Sequence, residues 1–167
     1  MKLRHLLIAA CAMTTSTASA QKSLYIPNEW KAQRTDTLLY KETDTENEYT
    51  WSKSRSKESD NFIVYCDKYY GNTIPTNAPS TYKVDVDDLL KKAEFFYSLN
   101  IGKLAFCDEN NSKVSKYKMM ILLNHTTDWV CYGGGYDDMI GALWLSPNTC
   151  KPVGHSVAHE VGHSFQY

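Results

Sequence analysis

Three short apolar runs set the strongest limit on what this chain can become. They are "NFIVYCD" (residues 61–67), "YKMMILLN" (117–124) and "IGALWLS" (140–146). None is long enough for an ordinary helix, and the first is crowded with β-branched and aromatic residues, so each reads as a strand buried in a sheet. Between the first two lies "DVDDLLKKAEFFYSLNIG" (85–102), where Leu89, Leu90, Ala93, Phe96, Tyr97 and Asn100 recur at helical spacing. Asp85 is placed to cap that helix and Gly102 to end it. The stretch "YYGNTIPTNAPS" holds Gly71, Pro75 and Pro79 and reads as a loop. The glycines Gly133, Gly134 and Gly135, followed by Tyr136, Asp137 and Asp138, read as a flexible turn entering the third strand. No Gly-Lys-Ser/Thr follows them, so phosphate-loop chemistry is excluded. After "PNTCKPVG" turns the chain, Gly154 can begin a second helix that runs to the end. Strand, helix, strand, glycine turn, strand and helix make an α+β domain with a mixed sheet and its last helix at the C-terminus. The polar segment from Gln21 to Asn61 reads as loop or strand edge, with Trp51 as its buried anchor.

The first twenty residues read as separate from this fold. Lys2 and Arg4, an apolar stretch from Leu6 to Met13, and Ala18-Ser19-Ala20 have the layout of a cleavable secretory leader, with residues 21–167 as the exported domain. Ile8-Ala9-Ala10-Cys11 offers a rival, a lipoprotein site with Cys11 lipidated. The expected location is therefore secreted or periplasmic, with an outer-surface lipoprotein as the alternative. The apolar stretch is far short of the roughly 20 residues that a helix needs to cross a bilayer, and no later segment is a candidate span. Removing Lys2 and Arg4 leaves 16 basic against 19 acidic side chains, a net charge of -3. No basic stripe is present, which argues against nucleic acid as a partner. Cys66, Cys107, Cys131 and Cys150 permit two disulfides in three pairings; two bridges, one bridge and four free thiols are all open, and an exported chain favours at least one bridge. Their spacing does not resemble a cysteine-rich zinc site.

The chemistry concentrates in the last helix. His159-Glu160-Val161-Gly162-His163 has the H-E-x-x-H spacing of a zinc hydrolase. Four residues apart on a helix, His159 and His163 point to one side and can converge on a single metal. Glu160 sits beside that metal and can accept a proton from its water. Gly162 allows a neighbouring backbone to come close, and Val157, Ala158, Val161 and Phe165 form the apolar side that seats the helix. His155 extends the stripe by one turn but fails as a ligand. Eight residues place it about 12 Å from His163 along the axis, against a zinc–nitrogen bond of about 2 Å. A catalytic zinc takes three protein ligands and an open position. In the extended H-E-x-x-H-x-x-G-x-x-H pattern the glycine falls where this chain has Gln166. Asp137, Asp138 and His125 are the upstream candidates for a third ligand, although the aspartates suit a turn and His125 a strand exit. With two imidazoles alone, zinc binding is expected to be weak.

Three blocks carry a resemblance: "WSKSRSKESDNFIVY" (Trp51 to Tyr65), "GGGYDDMIGALWLSPNTCKPVG" (Gly133 to Gly154) and "AHEVGHSFQY" (Ala158 to Tyr167). In this order they resemble the successive signature blocks of a family of secreted bacterial, zincin-like domains of unknown function. The resemblance covers the chain from about Tyr25 onward. It implies a partial zincin-like metallopeptidase fold, with His159 and His163 as zinc ligands and Glu160 as catalytic base. It also implies that "IGALWLSP" leads into the active-site helix and that a nearby strand pairs with an extended substrate. Members of that family continue past "GHSFQY", so residues 21–167 are expected to be the N-terminal portion of such a domain.

The expected function is a secreted zinc metallopeptidase, or a peptidase-like protein, acting on a peptide or glycoprotein through zinc-activated water. The competing expectations are a non-enzymatic cell-surface or glycan-associated binding domain, for which the 12 Tyr and 4 Trp would supply stacking surfaces, and an inactive fragment.

Overall fold

The computed structural model of the protein describes residues 21–31, 39–72 and 75–166. The expected leader (1–20), with Cys11, lies outside these residues, as does Tyr167. The elements in chain order are α1 (Asn28–Lys31), β1 (Tyr40–Lys41), β2 (Trp51–Ser52), β3 (Ser56–Glu58), β4 (Phe62–Cys66), α2 (Val86–Gly102), β5 (Met119–Leu123), β6 (Cys131–Tyr136), β7 (Ile140–Leu145) and α3 (His155–His163). Strands β3 to β7 form one five-stranded sheet in the order β3-β4-β5-β7-β6. The inner pairs β4/β5 and β5/β7 are parallel, while the outer pairs β3/β4 and β6/β7 are antiparallel. The three apolar runs are thus the three central strands of a mixed sheet in an α+β domain.

Their uninterrupted apolar character has a direct cause. A parallel strand joined through a crossover is covered on both faces, so both of its side-chain sets must be apolar. Phe62 and Val64 of β4, Met119, Ile121 and Leu123 of β5, and Leu143 and Leu145 of β7 face the helical layer of α2 and α3. Ile63, Tyr65, Met120, Leu122, Ile140 and Ala142 face the other way, against Trp30 and Trp51. Trp51 is 5% exposed, as expected of the anchor of the polar N-terminal segment. Helix α2 begins where the Asp85 carboxylate accepts the Asp88 N–H at 3.0 Å. It buries Leu89, Leu90, Ala93, Tyr97 and Asn100, whereas Phe96 is only partly covered and Phe95 is exposed.

Two expectations are corrected by the sheet. Gly133, Gly134 and Gly135 are not a turn; they form the middle of strand β6, paired with Leu143, Ala142 and Gly141. The turn is Asp137 and Asp138, both at φ +51°, the conformation that the tight return from β6 to β7 demands. Helix α3 does not run to the end of the chain but stops at His163. There the backbone bonding shortens to three-residue steps, Phe165 N–H to Gly162 O at 3.2 Å and Gln166 N–H to His163 O at 2.9 Å. The four cysteines also depart from expectation, for all are free thiols, Cys66 and Cys150 buried, Cys107 and Cys131 half-buried.

The polar loop before β2 is held by a buried ion pair that the sequence did not announce. Arg55 Nη1 lies 3.1 Å from Asp44 Oδ2, with both side chains only 3% exposed. Arg55 also donates to the carbonyls of Asp44, Tyr49 and Thr50 and to Asn47 Oδ1. Burial alone would raise the Asp44 carboxyl, but the N–H groups of Tyr49 and Glu48 and the Arg55 guanidinium hold it below the usual carboxylate range. Its contribution to stability is therefore present above the unfolded carboxyl range, about pH 4, and is lost as pH falls through the lower folded value. Acid unfolding should begin in that window for the wild type. Arg55→Ala, which leaves the carboxylate buried without its partner, should cost about 3–5 kcal/mol in denaturant melts. A loss below about 1 kcal/mol would show that the pair does not hold this loop.

Helix α3 lies on β6 and β7, and glycine makes that approach feasible. A Cβ at Gly141 would lie 2.1 Å from Ser164 O, a backbone atom. At Gly162 the expected close approach is not found, since a Cβ there would meet Phe106 Cε2 at an ordinary 3.8 Å. Gly141→Ala should therefore destabilise the metal-free domain by about 1–3 kcal/mol or more. Gly162→Ala should stabilise it by about 0.5–1 kcal/mol through helix propensity. Thermal melts of the two variants check this, and the same sign of shift in both would count against this packing of α3 on the sheet.

Candidate metal centre

Helix α3 is seated by Val157 and Val161, both fully buried, each contributing about 1.5–3 kcal/mol by removal from water. Phe165, past the helix end, adds a ring contact to Tyr97 of α2 at 5.4 Å. With that side down, the four-residue period turns His159 and His163 outward on the opposite side. His159 is exposed and His163 half-buried. Their Nε2 atoms lie 2.9 Å apart, and their rings meet edge to face with centroids at 4.5 Å. The Glu160 carboxylate completes a group in which one donor atom from each of the three residues lies within 4.8 Å of the others. The motif residues are therefore brought together as their spacing predicted.

Glu160 differs from its neighbours in being buried, 7% exposed, between the helix and β6. Its Oε2 would be 3.0 Å, and its backbone oxygen 2.6 Å, from a Cβ at Gly133. The glycine in β6 is thus the space into which the Glu160 side chain and backbone fit. Cys131, two residues earlier on the same face of β6, has its thiol beside the Glu160 carboxylate. Burial first, then that carboxylate, pushes the thiol up to about 12, so it stays protonated. Neither role follows from the sequence read on its own. The signal was present, because in a strand Cys131, Gly133 and Gly135 share one face, but it is visible only once the segment is recognised as a strand.

The other candidates are placed elsewhere. Asp137 accepts the Tyr25 hydroxyl at 2.8 Å and the Asn28 N–H at 2.9 Å, tying the β6–β7 turn to the N-terminal segment. Those two donors hold its carboxyl below the usual range. Asp138, beside it in the turn, gives its backbone carbonyl to Lys113. His125 leaves β5 and stacks on Tyr82 with centroids at 3.8 Å, its edge against Tyr70. His155 opens α3, exposed, with its Nε2 3.5 Å from Ser156 Oγ. Among the described residues, none of these four belongs to the His159–Glu160–His163 group. A cavity of about 170 Å³ lies away from the motif, walled by Ser54, Arg55, Cys66, Pro75 and Val86.

A model of the family described as "Family of unknown function (DUF6055)" matches residues 16–167. The chain belongs to this family. No curated protein and no solved structure matches the chain. No helix among the described residues is long and apolar enough to cross a membrane.

The glycines of β6 offer a direct check on this geometry. Gly133→Ala should push Glu160 and the α3 backbone away from the sheet, lowering the melting temperature by several degrees. Gly134→Ala faces the other side, where a Cβ would meet Tyr132 Oη at 3.0 Å, the far end of a ring that is 61% exposed and can swing away. It should be tolerated. Equal losses from the two substitutions would overturn the placement of Glu160 against β6.

Proposed function

We propose that the domain is an exported, zinc-dependent peptidase-like hydrolase, with His159 and His163 as metal ligands and Glu160 as catalytic base. The observation that carries this reading is the convergence of two imidazole Nε2 atoms at 2.9 Å, in a group where a Glu160 carboxylate oxygen lies within 4.8 Å of a ring nitrogen of each histidine. The donor set fits the metal. Two nitrogens on a tetrahedral zinc, each at about 2.0–2.1 Å, stand about 3.3 Å apart, so a small ring rotation from 2.9 Å suffices. A zinc ion held there would supply Lewis acidity and lower the pKa of its water. Glu160, backed by the Cys131 thiol, would take the proton of the attacking water at its carboxylate and return it to the leaving amine. Among the described residues two imidazoles serve where three protein ligands are usual, so the affinity of this site is expected to be weak.

The arrangement also bears on the substrate. The strand expected to lead into the active-site helix, β7, is interior, flanked by β5 and β6. Strand β6 ends the sheet order and touches Glu160 through Gly133. An extended peptide adding to its edge would lie along the metal centre, which favours a peptide or glycoprotein substrate. The leader from Lys2 to Ala20 supports release outside the cytoplasm, with lipidation at Cys11 as the rival. A second reading, a non-enzymatic glycan-associated domain, is favoured by Tyr132, 61% exposed and 5.2 Å from the Trp144 ring, and by Trp129, 66% exposed.

Metal analysis and peptide-cleavage assays test the proposal. After dialysis the wild type should retain less than one equivalent of zinc, and His159→Ala or His163→Ala should retain less still. With zinc supplied in excess, Glu160→Gln should keep the metal yet lose cleavage by about 100-fold or more. Cleavage that persists in chelator, or that Glu160→Gln leaves intact, would sink the hydrolase reading. Zinc indifference together with glycan retention lost in Tyr132→Ala would establish the second reading in its place.

A further inference from the structure

His163 has a partner on each ring nitrogen. Its Nε2 faces His159 Nε2 at 2.9 Å, and its Nδ1 faces Gln166 Oε1 at 2.9 Å. A neutral imidazole carries one proton, and whichever nitrogen holds it cannot bind a metal. The side-chain carbonyl of Gln166 only accepts hydrogen bonds, so it favours the proton on Nδ1 and leaves the Nε2 lone pair to accept from His159 Nε2–H, whose proton a bound metal would displace. The backbone puts Gln166 there. Its N–H bonds His163 O at 2.9 Å in the turn that closes α3, which returns the side chain over the ring three residues back.

We propose that Gln166 is the positioning residue of the metal centre, holding His163 in the Nδ1–H tautomer and its ring at the angle that presents Nε2 to the metal. The inference rests on the reading that His159 and His163 bind zinc. It assigns to Gln166 a task that the H-E-x-x-H motif leaves unspecified. Partners of this kind set ligand orientation and basicity, and their removal commonly costs 10–100-fold in metal affinity. Because Gln166 is exposed and water competes for the same N–H, the lower end of that range applies.

Two measurements on the full chain test this. In the metal-free wild type, long-range nitrogen–proton NMR of the neutral imidazoles should show His163 as the Nδ1–H tautomer. In Gln166→Ala it should move toward the Nε2–H form that free histidine prefers. In competition titrations with a chromophoric chelator, Gln166→Ala should weaken zinc about 10-fold. Gln166→Glu should restore affinity or raise it, since a carboxylate accepts the same N–H more strongly. An Nε2–H tautomer in the wild type, or a zinc affinity unchanged in Gln166→Ala while His163→Ala abolishes it, overturns the assignment. If His163→Ala also leaves zinc affinity unchanged, the zinc reading falls, and the NMR tautomer still decides whether Gln166 sets the ring.

Discussion

The approach of α3 to strands β6 and β7 is the contact on which the candidate site depends. It is made where side chains are missing. Gly141 leaves room for the Ser164 backbone and Gly133 for Glu160, and any larger residue would hold the helix off the sheet. Ser164 adds a hydroxyl that bonds Glu160 O at 3.0 Å, so the last turn of the helix is fixed while it lies against the strand. Once this face is seated, the helical period leaves no freedom over the rest. Val157 and Val161 enter the core, Glu160 meets the edge strand, and the two histidines are turned outward together.

The sheet makes that seating rigid. Its central strands are buried on both faces, by α2 and α3 on one side and by the Trp30 and Trp51 layer on the other. A site placed on an element packed against such a sheet can hold its geometry in a way that a loop cannot. The chemistry is asymmetric within the site. Glu160 is shielded and has a protonated thiol beside it, whereas the imidazoles face solvent, where an ion can reach them. That division suits the proposed roles of Glu160 as base and of the histidines as ligands.

Much of the fold was legible because the forces involved are local or periodic. The three apolar runs, the Asp85 cap and the spacing of Leu89, Leu90, Ala93 and Tyr97 each report burial through a pattern that survives in one dimension. The glycine run misled, because glycine carries no side chain to show a period of two, and its value in β6 comes from what packs onto it. The Asp44–Arg55 pair, eleven residues apart in a polar loop, left no pattern to read. Free thiols in place of the expected bridge show the same limit, since cysteine count and export say nothing about which sulfur atoms meet.

By itself the sequence determined the central strands, the first helix, and the pairing of His159 with His163, because helical geometry converts a spacing of four into a shared side. It also carries the match to DUF6055 over residues 16–167. Only the tertiary structure decided that β6 rather than β7 forms the sheet edge beside the site, that Glu160 is buried against Gly133, and that Asp137 and His125 are engaged elsewhere. Those outcomes depend on which surfaces come within a few ångströms of each other after the sheet closes. Strand order and close packing join residues far apart in the chain, and no local period encodes them.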